Sequence, residues 1–272
     1  GALGRYHAQK YAAHSEAELV GVFDPDGERA AAVAAEMGGA PYTDPQALLA
    51  DVDAVTIAAP TEVHRELGTA ALAAGVHVLM EKPLAGSREE ADDLLAAAEA
   101  AGRVLQVGHL KRFHPGVRWL SDNGWDRQPP RYLEANRLNT FQPRSLDIDV
   151  ILDLMVHDLD LILHWVQSPV TEVRALGIPV VTDKVDMANA RIAFANGTVA
   201  NVTASRVASK RIREIRMFQF HRYASLDFVE GRLGLFELGD DGGGDGPVPG
   251  ARGSQLELDS RDLLADEVAA FL

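Results

Sequence analysis

Cysteine is absent from this chain of 272 residues. The sequence therefore excludes a disulfide framework, a Cys-ligated zinc site, an iron–sulfur cluster and a thiol nucleophile. Because nothing points to an oxidising compartment, the cytoplasm is the expected location. No apolar run approaches the roughly 18 to 20 residues that span a bilayer, and no charged segment followed by an apolar one opens the chain. We therefore expect neither a membrane span nor an export signal.

Positive charge is scarce as well. Lys and Arg total 26 against 40 Asp and Glu, which leaves a net charge of −14. A field of that sign repels the phosphates of nucleic acids and anionic lipids, so neither is an expected partner. Hydrophobic residues make up 47% of the chain, which is enough for a sizeable core. A chain of this length commonly folds as two domains.

Short apolar runs alternate with Ala-rich helical segments over the first part of the chain. The apolar runs lie at 18–23, 54–58, 76–80 and 104–107, and the helical segments at 26–37, 62–74 and 87–101. Strands that are apolar on both faces and separated by such helices indicate a parallel sheet covered on both sides. Residues 1–110 are therefore predicted to form a doubly wound α/β domain of the Rossmann type.

The pattern changes in residues 111–272. A β-like segment at 131–140 and a helical one at 150–166 are followed by β-branched runs from 170 to 236. Asn196-Gly197, between two such runs, is a strong hairpin signal. Consecutive strands with few helices between them predict an antiparallel sheet, so this part is expected to be an α+β domain. Residues 240–254 are rich in Gly and Pro and are predicted to form a loop.

Two glycines at the start of the chain, Gly1 and Gly4, are spaced as in the second half of a dinucleotide-binding turn. The first glycine of that turn and its strand would precede Gly1. The helix that begins here would offer the backbone N–H groups of Gly1, Ala2 and Leu3 to a pyrophosphate.

Asp24 ends the next predicted strand. It lies 23 positions after Gly1, close to the ~20-residue spacing of a carboxylate that binds the ribose hydroxyls of a dinucleotide. An acid there would repel a 2′-phosphate, so NAD is the predicted cofactor rather than NADP. The alternative is that Asp24 caps the helix at 26–37, with Pro25 at its first position, and the two roles are compatible.

Three further strings resemble the Gfo/Idh/MocA oxidoreductases. They are Ala58-Ala-Pro-Thr-Glu-Val-His64, Ala73-Ala-Gly-Val-His-Val-Leu-Met-Glu-Lys-Pro83 and Asp153-Leu-Met-Val-His-Asp-Leu-Asp160. The resemblance implies a Rossmann domain, then a domain with a large, open, mostly antiparallel sheet, and hydride transfer to a nicotinamide cofactor. The residues expected at the cofactor, besides those named above, are Ala59, Pro60, His64, Glu81 and Lys82.

Within this family, Val107-Gly-His-Leu-Lys-Arg-Phe-His-Pro115 resembles the branch that oxidises UDP-N-acetylhexosamines at C3, as do residues 178–184 and 225–228. His109 and Arg112 follow the last Rossmann strand and could reach the substrate, and a guanidinium suits a diphosphate because it pairs with two oxygens at once. Two positions depart from the family pattern. Met155 stands where Gly is usual and would narrow the pocket beside the helix, and His114 stands where Asn is usual.

A basic run with sheet-like spacing lies further along the chain. Its members are Arg206, Lys210, Arg211, Arg213 and Arg216. The run is interpreted either as a solvated face or as part of the contact with a diphosphate.

Oxidising a secondary alcohol needs a base for the hydroxyl proton and a C–H bond aimed at the nicotinamide. Lys82 follows a parallel strand, where open α/β sheets bind ligands, although a lysine before proline is also typical of a solvated surface. The resemblance implies that Lys82 stabilises charge on the developing alkoxide. Asp153 and His157 lie four apart and share a helix face. Because histidine gains and loses a proton near neutrality, His157 is the predicted base, with Asp153 orienting the sugar.

Two other interpretations of this helix face stay open. It could be a solvent-facing polar stripe that continues through Asp160 and His164, or Asp153 and His157 could be two metal ligands. No third ligand is apparent in the sequence, so no metal is predicted.

The dinucleotide-binding pattern predicts an NAD-dependent enzyme, and the family resemblance implies a sugar dehydrogenase acting on a nucleotide-activated N-acetylhexosamine. A dehydrogenase of inositol or a free sugar is the alternative within the family. A non-catalytic NAD-binding regulator is the other alternative, and the joint presence of Lys82, Asp153 and His157 argues against it. Because an open sheet needs its apolar face covered, we expect a homodimer or homotetramer formed through the C-terminal sheet.

Overall fold

The structure consists of two compact units. The computed structural model describes residues 1–143, 148–239 and 250–272. Unit 1 comprises Gly1–Leu110 and Asp262–Leu272, and unit 2 comprises Lys111–Arg261. No helix in the described ranges has both the length and the apolar character needed to cross a membrane.

Unit 1 alternates helices with short strands. Its first five helices are α1 (Ala2–Ala13), α2 (Gly27–Met37), α3 (Pro45–Asp51), α4 (His64–Ala73) and α5 (Arg88–Ala101). Its strands are β1 (Gly21–Phe23), β2 (Ala40–Tyr42), β3 (Ala54–Ile57), β4 (His77–Met80) and β5 (Leu105–Val107). A 3₁₀ turn at Thr61–Val63 precedes α4.

All strands of unit 1 pair in parallel. β1 pairs with β2, and β3, β4 and β5 form a second sheet in that order. Val78, Leu79 and Met80 of the central strand β4 are fully buried. Since consecutive strand residues point to opposite faces, both faces of β4 are covered, as the sequence predicted. Leu72 of α4 and Leu94 of α5 belong to the core that covers it.

The start of α2 corrects one interpretation of Asp24. Asp26 is the capping residue, because its Oδ1 accepts hydrogen bonds from the backbone N–H groups of Glu28 and Arg29 at 3.1 and 3.2 Å. The alternative in which Asp24 caps this helix is therefore wrong, since a side chain two residues later fills the position. The Asp24 carboxylate therefore does not cap α2.

Unit 2 is a sheet with a few helical segments. Besides a 3₁₀ segment at Leu110–Phe113, the helical segments are α6 (Pro115–Asp122), a π-helical segment (Ile151–Met155) and α7 (Val156–Val166). The strands are β6 (Tyr132–Leu138), β7 (Val170–Ile178), β8 (Met187–Phe194), β9 (Val199–Ser205), β10 (Ile212–Gln219), β11 (Arg222–Asp227), β12 (Arg232–Leu238) and β13 (Ala251–Glu257).

The eight strands of unit 2 form one mixed sheet in the order β13-β12-β11-β10-β6-β9-β8-β7. β6 runs parallel to β9, and the other neighbours are antiparallel. The predicted fold class, a Rossmann domain followed by a domain with a large, mostly antiparallel sheet, is confirmed. Asn196-Gly197 connects β8 to β9 as predicted, with Gly197 in the left-handed region at φ 85°.

Two predicted segments of unit 2 differ from the structure. The helix expected at 150–166 is divided, because a π-helical segment precedes α7. Part of the loop expected at 240–254 forms β13, which takes its hydrogen-bond partners from the edge of β12, with Ser254 opposite Leu235. Residues 240–249 of that loop lie outside the described residues.

The helix α8 (Leu263–Phe271) packs with unit 1, although the sequence placed residues 111–272 in one C-terminal domain. Lys10 Nζ lies 2.7 Å from Asp262 Oδ2, and Gln106 Nε2 donates to the backbone oxygen of Glu267 at 3.5 Å. Val268 of the same helix is fully buried. These contacts assign Asp262–Leu272 to unit 1.

Candidate active site

Asp24 lies beside the start of α1 in unit 1. Its Oδ2 is 3.2 Å from the nitrogen of Gly1, so the structure brings the predicted ribose carboxylate to the glycine turn. Ala2 and Leu3 begin α1, and the N–H groups of a first helical turn have no partner within the helix.

Arg29 holds the Asp24 carboxylate in place. Its Nε and Nη2 donate to Oδ2 and Oδ1 of Asp24 at 2.7 and 2.8 Å, and the backbone N–H of Asp26 donates to Oδ1 at 3.0 Å. The hydrogen bonds from Arg29 keep the pKa of Asp24 below its usual range, against the opposing effect of partial burial. Asp24 is therefore an anion and an acceptor only, which suits ribose hydroxyls. These residues fit the adenosine ribose and pyrophosphate of a dinucleotide.

His64 joins the loops that follow β3 and β4. Its Nδ1 lies 2.9 Å from the backbone oxygen of Pro83, and its Nε2 lies 2.9 Å from that of Ala59. The side chain is buried, and Pro60 follows Ala59 directly at the start of the 3₁₀ turn. His64 therefore fixes the backbone of the two loops that the family resemblance assigns to the cofactor.

Glu81 and Lys82 follow the C-terminal end of β4. Glu81 Oε1 is 2.9 Å from Nε2 of His7, and Glu81 Oε2 accepts a hydrogen bond from the backbone N–H of Lys82 at 3.1 Å. Both Glu81 and His7 are buried, and a Cβ on Gly108 would lie 3.2 Å from Glu81 Oε2. The Glu81 carboxylate therefore fixes the backbone of Lys82, whose side chain is half-buried. His109 lies just past β5, where its backbone N–H donates to Val107 O at 2.7 Å.

Glu267 of α8 is a second buried acid in this part of unit 1. Its side chain is fully buried, and neither carboxyl oxygen has a hydrogen-bond partner among the described residues. Burial raises the pKa of Glu267 to about 8, and the negative charge of Glu81 acts in the same direction. Burial also raises the pKa of Tyr11 to about 12, and its hydroxyl lies 2.7 Å from Thr56 Oγ1. Glu267 is therefore protonated at neutral pH.

Asp153 and His157 lie on successive turns of one helical segment in unit 2. Asp153 belongs to the π-helical segment and His157 to the first turn of α7. Such π segments inside helices are frequent at functional sites. Met155 is buried in the core of unit 2. Asp153 lines a small pocket together with Asn139, Thr140, Gln142, Leu154 and Arg206.

Two arginines bind the other acids of α7. Arg137 Nε and Nη2 donate to the two carboxylate oxygens of Asp158 at 2.8 and 2.6 Å, and both side chains are buried. Arg112 Nε and Nη2 donate to the Asp160 carboxylate, with Nη2 2.6 Å from Oδ1. Asp160 is buried, so the interpretation of a solvent-facing stripe fails at this position. Arg112, a predicted substrate residue, is thus held by Asp160.

The described residues supply no third ligand for a metal ion bound by Asp153 and His157. In residues 1–143, 148–239 and 250–272, no group of three or more His, Asp or Glu side chains could hold a metal ion.

The structure divides the basic run into buried and exposed members. Arg206 is buried, and its Nη2 donates to the backbone oxygen of Ile148 at 2.8 Å. Arg216 is 3.3 Å from a carboxylate oxygen of Glu134 on the neighbouring strand. The exposed members are Lys210 and Arg211. Arg206 therefore fixes the chain that leads into the π-helical segment.

Sequence reasoning missed several buried charged residues around the candidate site. Arg137 shares a strand face with Leu133 and Ala135, so a cation at an inward-facing position was an available signal. Asp186 Oδ2 accepts hydrogen bonds from three successive backbone N–H groups, at 180–182, and no local pattern announces this. No sequence pattern indicated that Glu267 is buried either, because its burial depends on how α8 packs.

We expect Glu267→Gln to change how stability depends on pH. The folded-state pKa of about 8 exceeds the ordinary 4.5, so the folded protein binds the extra proton. The stability contributed by this group is complete below 4.5 and is lost as the pH rises towards 8. Glu267→Gln removes that loss, so the variant should gain on the wild type by up to about 5 kcal/mol at alkaline pH.

Denaturant unfolding at several pH values measures this difference. Glu89→Gln, which alters an exposed acid of α5, is the control and should follow the wild-type profile. A constant difference between Glu267→Gln and wild type at every pH would contradict a protonated Glu267.

Two family models match the chain. Residues 1–109 match the model described as "Oxidoreductase family, NAD-binding Rossmann fold", and residues 117–219 match the "GFO/IDH/MocA C-terminal domain". The two matches correspond to the Rossmann strands and to the first strands of the mixed sheet.

Similar proteins extend these matches to the whole chain. The UDP-N-acetylglucosamine 3-dehydrogenase of Acidithiobacillus ferrooxidans is 50% identical over 273 residues, which are 100% of this chain and 85% of the relative. A solved structure of that enzyme superimposes with a TM-score of 0.92 at 49% identity, with the same coverage. The scyllo-inositol 2-dehydrogenase (NAD(+)) of Bacillus subtilis is 31% identical over 76% of this chain and 66% of its own.

A more distant structure shares the fold. Levoglucosan dehydrogenase in complex with NADH and levoglucosan superimposes with a TM-score of 0.86 at 20% identity, covering 99% of this chain and 86% of that one. The two family models together match more than half of the chain, and the first relative is similar over all of it. This chain therefore belongs to the Gfo/Idh/MocA family of NAD-binding oxidoreductases.

Proposed function

We propose that this protein oxidises the C3 hydroxyl of a UDP-N-acetylhexosamine, with UDP-N-acetylglucosamine as the first candidate, and transfers the hydride to NAD. The observation that carries the proposal is the 50% identity with UDP-N-acetylglucosamine 3-dehydrogenase across the full length of this chain. The relatives of lower identity include an inositol dehydrogenase, which makes inositol or a free sugar the alternative substrate class.

The residues of unit 1 would hold the cofactor. Asp24 accepts the ribose hydroxyls, the first turn of α1 receives the pyrophosphate, and the loops joined by His64 contact the nicotinamide end. NAD, when bound, supplies the hydride acceptor. Glu81 holds the backbone of Lys82 so that the lysine side chain extends from the end of β4.

The remaining chemistry is the removal of one proton from the sugar hydroxyl. In the proposal, Lys82 hydrogen-bonds the reacting oxygen and stabilises its negative charge as the proton leaves. His157 accepts that proton, and Asp153 orients the sugar and keeps the imidazole basic. Asp158 and Asp160, each bound by an arginine, fix the helix that carries the base.

A substrate panel tests the proposal. Purified protein with NAD is assayed for NADH formation on UDP-N-acetylglucosamine, UDP-glucose, myo-inositol and glucose. Turnover confined to the UDP-N-acetylhexosamine is the expected result. Turnover on inositol or glucose alone would overturn the substrate class, and no turnover despite NAD binding would favour the non-catalytic regulator.

Lys82→Ala should lower kcat by roughly 10²-fold or more and leave the affinity for NAD unchanged, because its role begins when charge develops on the substrate oxygen. Steady-state kinetics and NAD titration separate the two effects. Lys184→Ala, which removes an exposed lysine of unit 2, is the control. Unchanged turnover in Lys82→Ala would remove this residue from the mechanism.

Asp24→Ala should narrow the preference for NAD over NADP. The substitution removes an acceptor for the ribose hydroxyls and frees the Arg29 guanidinium, which can then pair with a 2′-phosphate. A change of about 10- to 100-fold in the ratio of kcat/KM values is expected, as for one charge-assisted contact.

Two variants serve as controls for the cofactor preference. Arg29→Ala added to Asp24→Ala should abolish the gain with NADP, and Asp44→Ala, which removes the cap of α3, should keep the wild-type ratio. An unchanged ratio in Asp24→Ala would show that this carboxylate does not read the ribose.

The proposed partner is a second copy of this chain, bound through the sheet of unit 2. All nine residues of the edge strand β7 are exposed, including Val173 and Leu176 at 57 and 59%. Val173 lies opposite Ile192 and Leu176 opposite Asn189, so apolar side chains are exposed on both faces of the strand. An exposed apolar edge strand is normally covered.

The cytoplasmic location of the protein stays a prediction from the sequence.

Leu176→Arg should shift the protein to a smaller species, because a desolvated charge opposes burial of this face. Light scattering after size exclusion measures the mass. Leu95→Arg, at an apolar residue of α5 with 55% exposure, should leave the mass unchanged. A wild-type protein that is already monomeric would contradict the proposed self-association.

A further inference from the structure

His7 is a buried histidine of α1 that has no part in the proposed removal of the proton. Only 2% of its surface is exposed, and its Nε2 lies 2.9 Å from Oε1 of Glu81, a residue 74 positions away. A carboxylate oxygen can only accept, so the histidine ring donates this hydrogen bond. The contact joins the first helix of unit 1 to the end of strand β4.

The carboxylate of Glu81 connects His7 to the backbone of Lys82. Its second oxygen, Oε2, accepts the hydrogen bond from the N–H of Lys82 at 3.1 Å. A carboxylate whose two oxygens have different partners cannot turn about its last bond without losing one of them. The orientation of the Lys82 backbone therefore depends on His7 through one intervening side chain.

Strand pairing fixes the backbone up to Glu81. The N–H of Glu81 donates to Ile57 O of β3 at 3.0 Å, and the N–H of Gly108, just past β5, donates to Met80 O at 2.7 Å. A Cβ on Gly108 would lie 3.2 Å from Glu81 Oε2, so the neighbouring segment also confines the carboxylate. Lys82 comes directly after this paired backbone, and the Glu81 side chain extends the fixed region to its N–H group.

The helix α1 is a firm support for His7. One turn further along, the hydroxyl of Tyr11 lies 2.7 Å from Thr56 Oγ1 on β3. Lys10 Nζ lies 2.7 Å from Asp262 Oδ2, at the start of α8. Because these contacts hold α1 to the rest of unit 1, a hydrogen bond from His7 can define the position of the Glu81 carboxylate.

We propose that His7 is a positioning residue for the oxidation. It orients the Glu81 carboxylate, which in turn holds the backbone from which the Lys82 side chain reaches the sugar hydroxyl. The proposal rests on the proposed function, because it needs Lys82 at the reacting oxygen. A misplacement of about 1 Å can cost about 100-fold in rate, so a hydrogen bond behind the catalytic side chain affects turnover.

A histidine that only packs α1 against the sheet is the alternative. Its loss would lower the free energy of unfolding and would have no particular connection with Lys82. The two roles differ in how substitutions of His7 and Lys82 combine. Effects on independent sites add, whereas a residue that acts through another has no further effect once the other is removed.

A double-mutant cycle of His7→Leu and Lys82→Ala, followed by steady-state kinetics and NAD titration, tests the proposal. His7→Leu alone should lower kcat by about 10- to 100-fold, the loss expected for one charge-assisted hydrogen bond. Its affinity for NAD should stay within about twofold of the wild type. In the Lys82→Ala background, His7→Leu should change kcat by less than about twofold, because the side chain that it positions is absent.

Two further variants separate the hydrogen bond from packing. His7→Gln keeps an Nε2 that can donate to the same oxygen, so kcat should return to within about threefold of the wild type. Tyr11→Phe removes another hydrogen bond between α1 and the sheet, so it should lower the thermal stability and leave kcat unchanged. If His7→Leu does not fold, His7→Asn, whose shorter amide does not reach Glu81, replaces it in the cycle.

The outcomes separate this proposal from the proposed function. The sugar that the wild type oxidises fastest serves as the substrate, so a wrong substrate class does not affect the comparison. A folded His7→Leu with wild-type kcat, or an equal loss with and without Lys82, would overturn the role of His7 and leave that of Lys82. A loss of NAD affinity at unchanged kcat would assign His7 to the cofactor helix and also overturn it. Unchanged kcat in Lys82→Ala would overturn the roles of both residues.

Discussion

The buried ion pair between Arg137 and Asp158 is the interaction on which unit 2 depends. It links β6, near the middle of the mixed sheet, to α7, and both side chains are almost fully removed from solvent. Removing one partner of such a pair typically costs about 3–5 kcal/mol, because the other charge is left buried and unpaired. Well-packed apolar residues at these two positions would stabilise the fold as well or better. The role of the ion pair is therefore to position the helix that carries His157 and the π-helical segment that carries Asp153.

The same principle recurs in both units. Arg112 binds Asp160, two residues further along α7 than Asp158, and Glu81 fixes the backbone of Lys82 by accepting from its N–H group. In each case a buried carboxylate accepts hydrogen bonds and so holds a backbone segment in one place. Each proposed catalytic side chain is adjacent in sequence to one of these carboxylates, because Lys82 follows Glu81 and His157 precedes Asp158. Rigid placement of this kind reduces the orientational cost of reaction.

Local patterns in the sequence were sufficient to predict the architecture of both units. The apolar run at 76–80 predicted a strand covered on both faces, and Val78, Leu79 and Met80 of β4 are fully buried. Asn196-Gly197 predicted the turn between β8 and β9. The spacing of Gly1 and Asp24 predicted a carboxylate that binds the ribose hydroxyls; Asp24 Oδ2 lies 3.2 Å from the nitrogen of Gly1, and its role stays a prediction. These features depend on runs of neighbouring residues or on a fixed spacing along the chain.

Contacts between distant segments could not be predicted from local sequence patterns. The pairing of Arg137 with Asp158, the burial of Glu267 and the packing of α8 on unit 1 each depend on where whole elements meet. The π-helical segment has no sequence signature, because apolar periodicity does not distinguish it from the turn of an α-helix that follows. Arg206 resembled a surface cation but is buried, since its partner oxygen belongs to a distant loop. Tertiary packing decided each of these positions.

Transfer of a deuterium label tests the central claim, that hydride passes from C3 of the nucleotide sugar to NAD. UDP-N-acetylglucosamine carrying deuterium at C3 is incubated with the protein and NAD, and the reduced cofactor is analysed by mass spectrometry. The account predicts deuterium in the NADH and slower turnover than with unlabelled sugar. NADH that forms without the label, while label at another ring carbon is transferred, would contradict it.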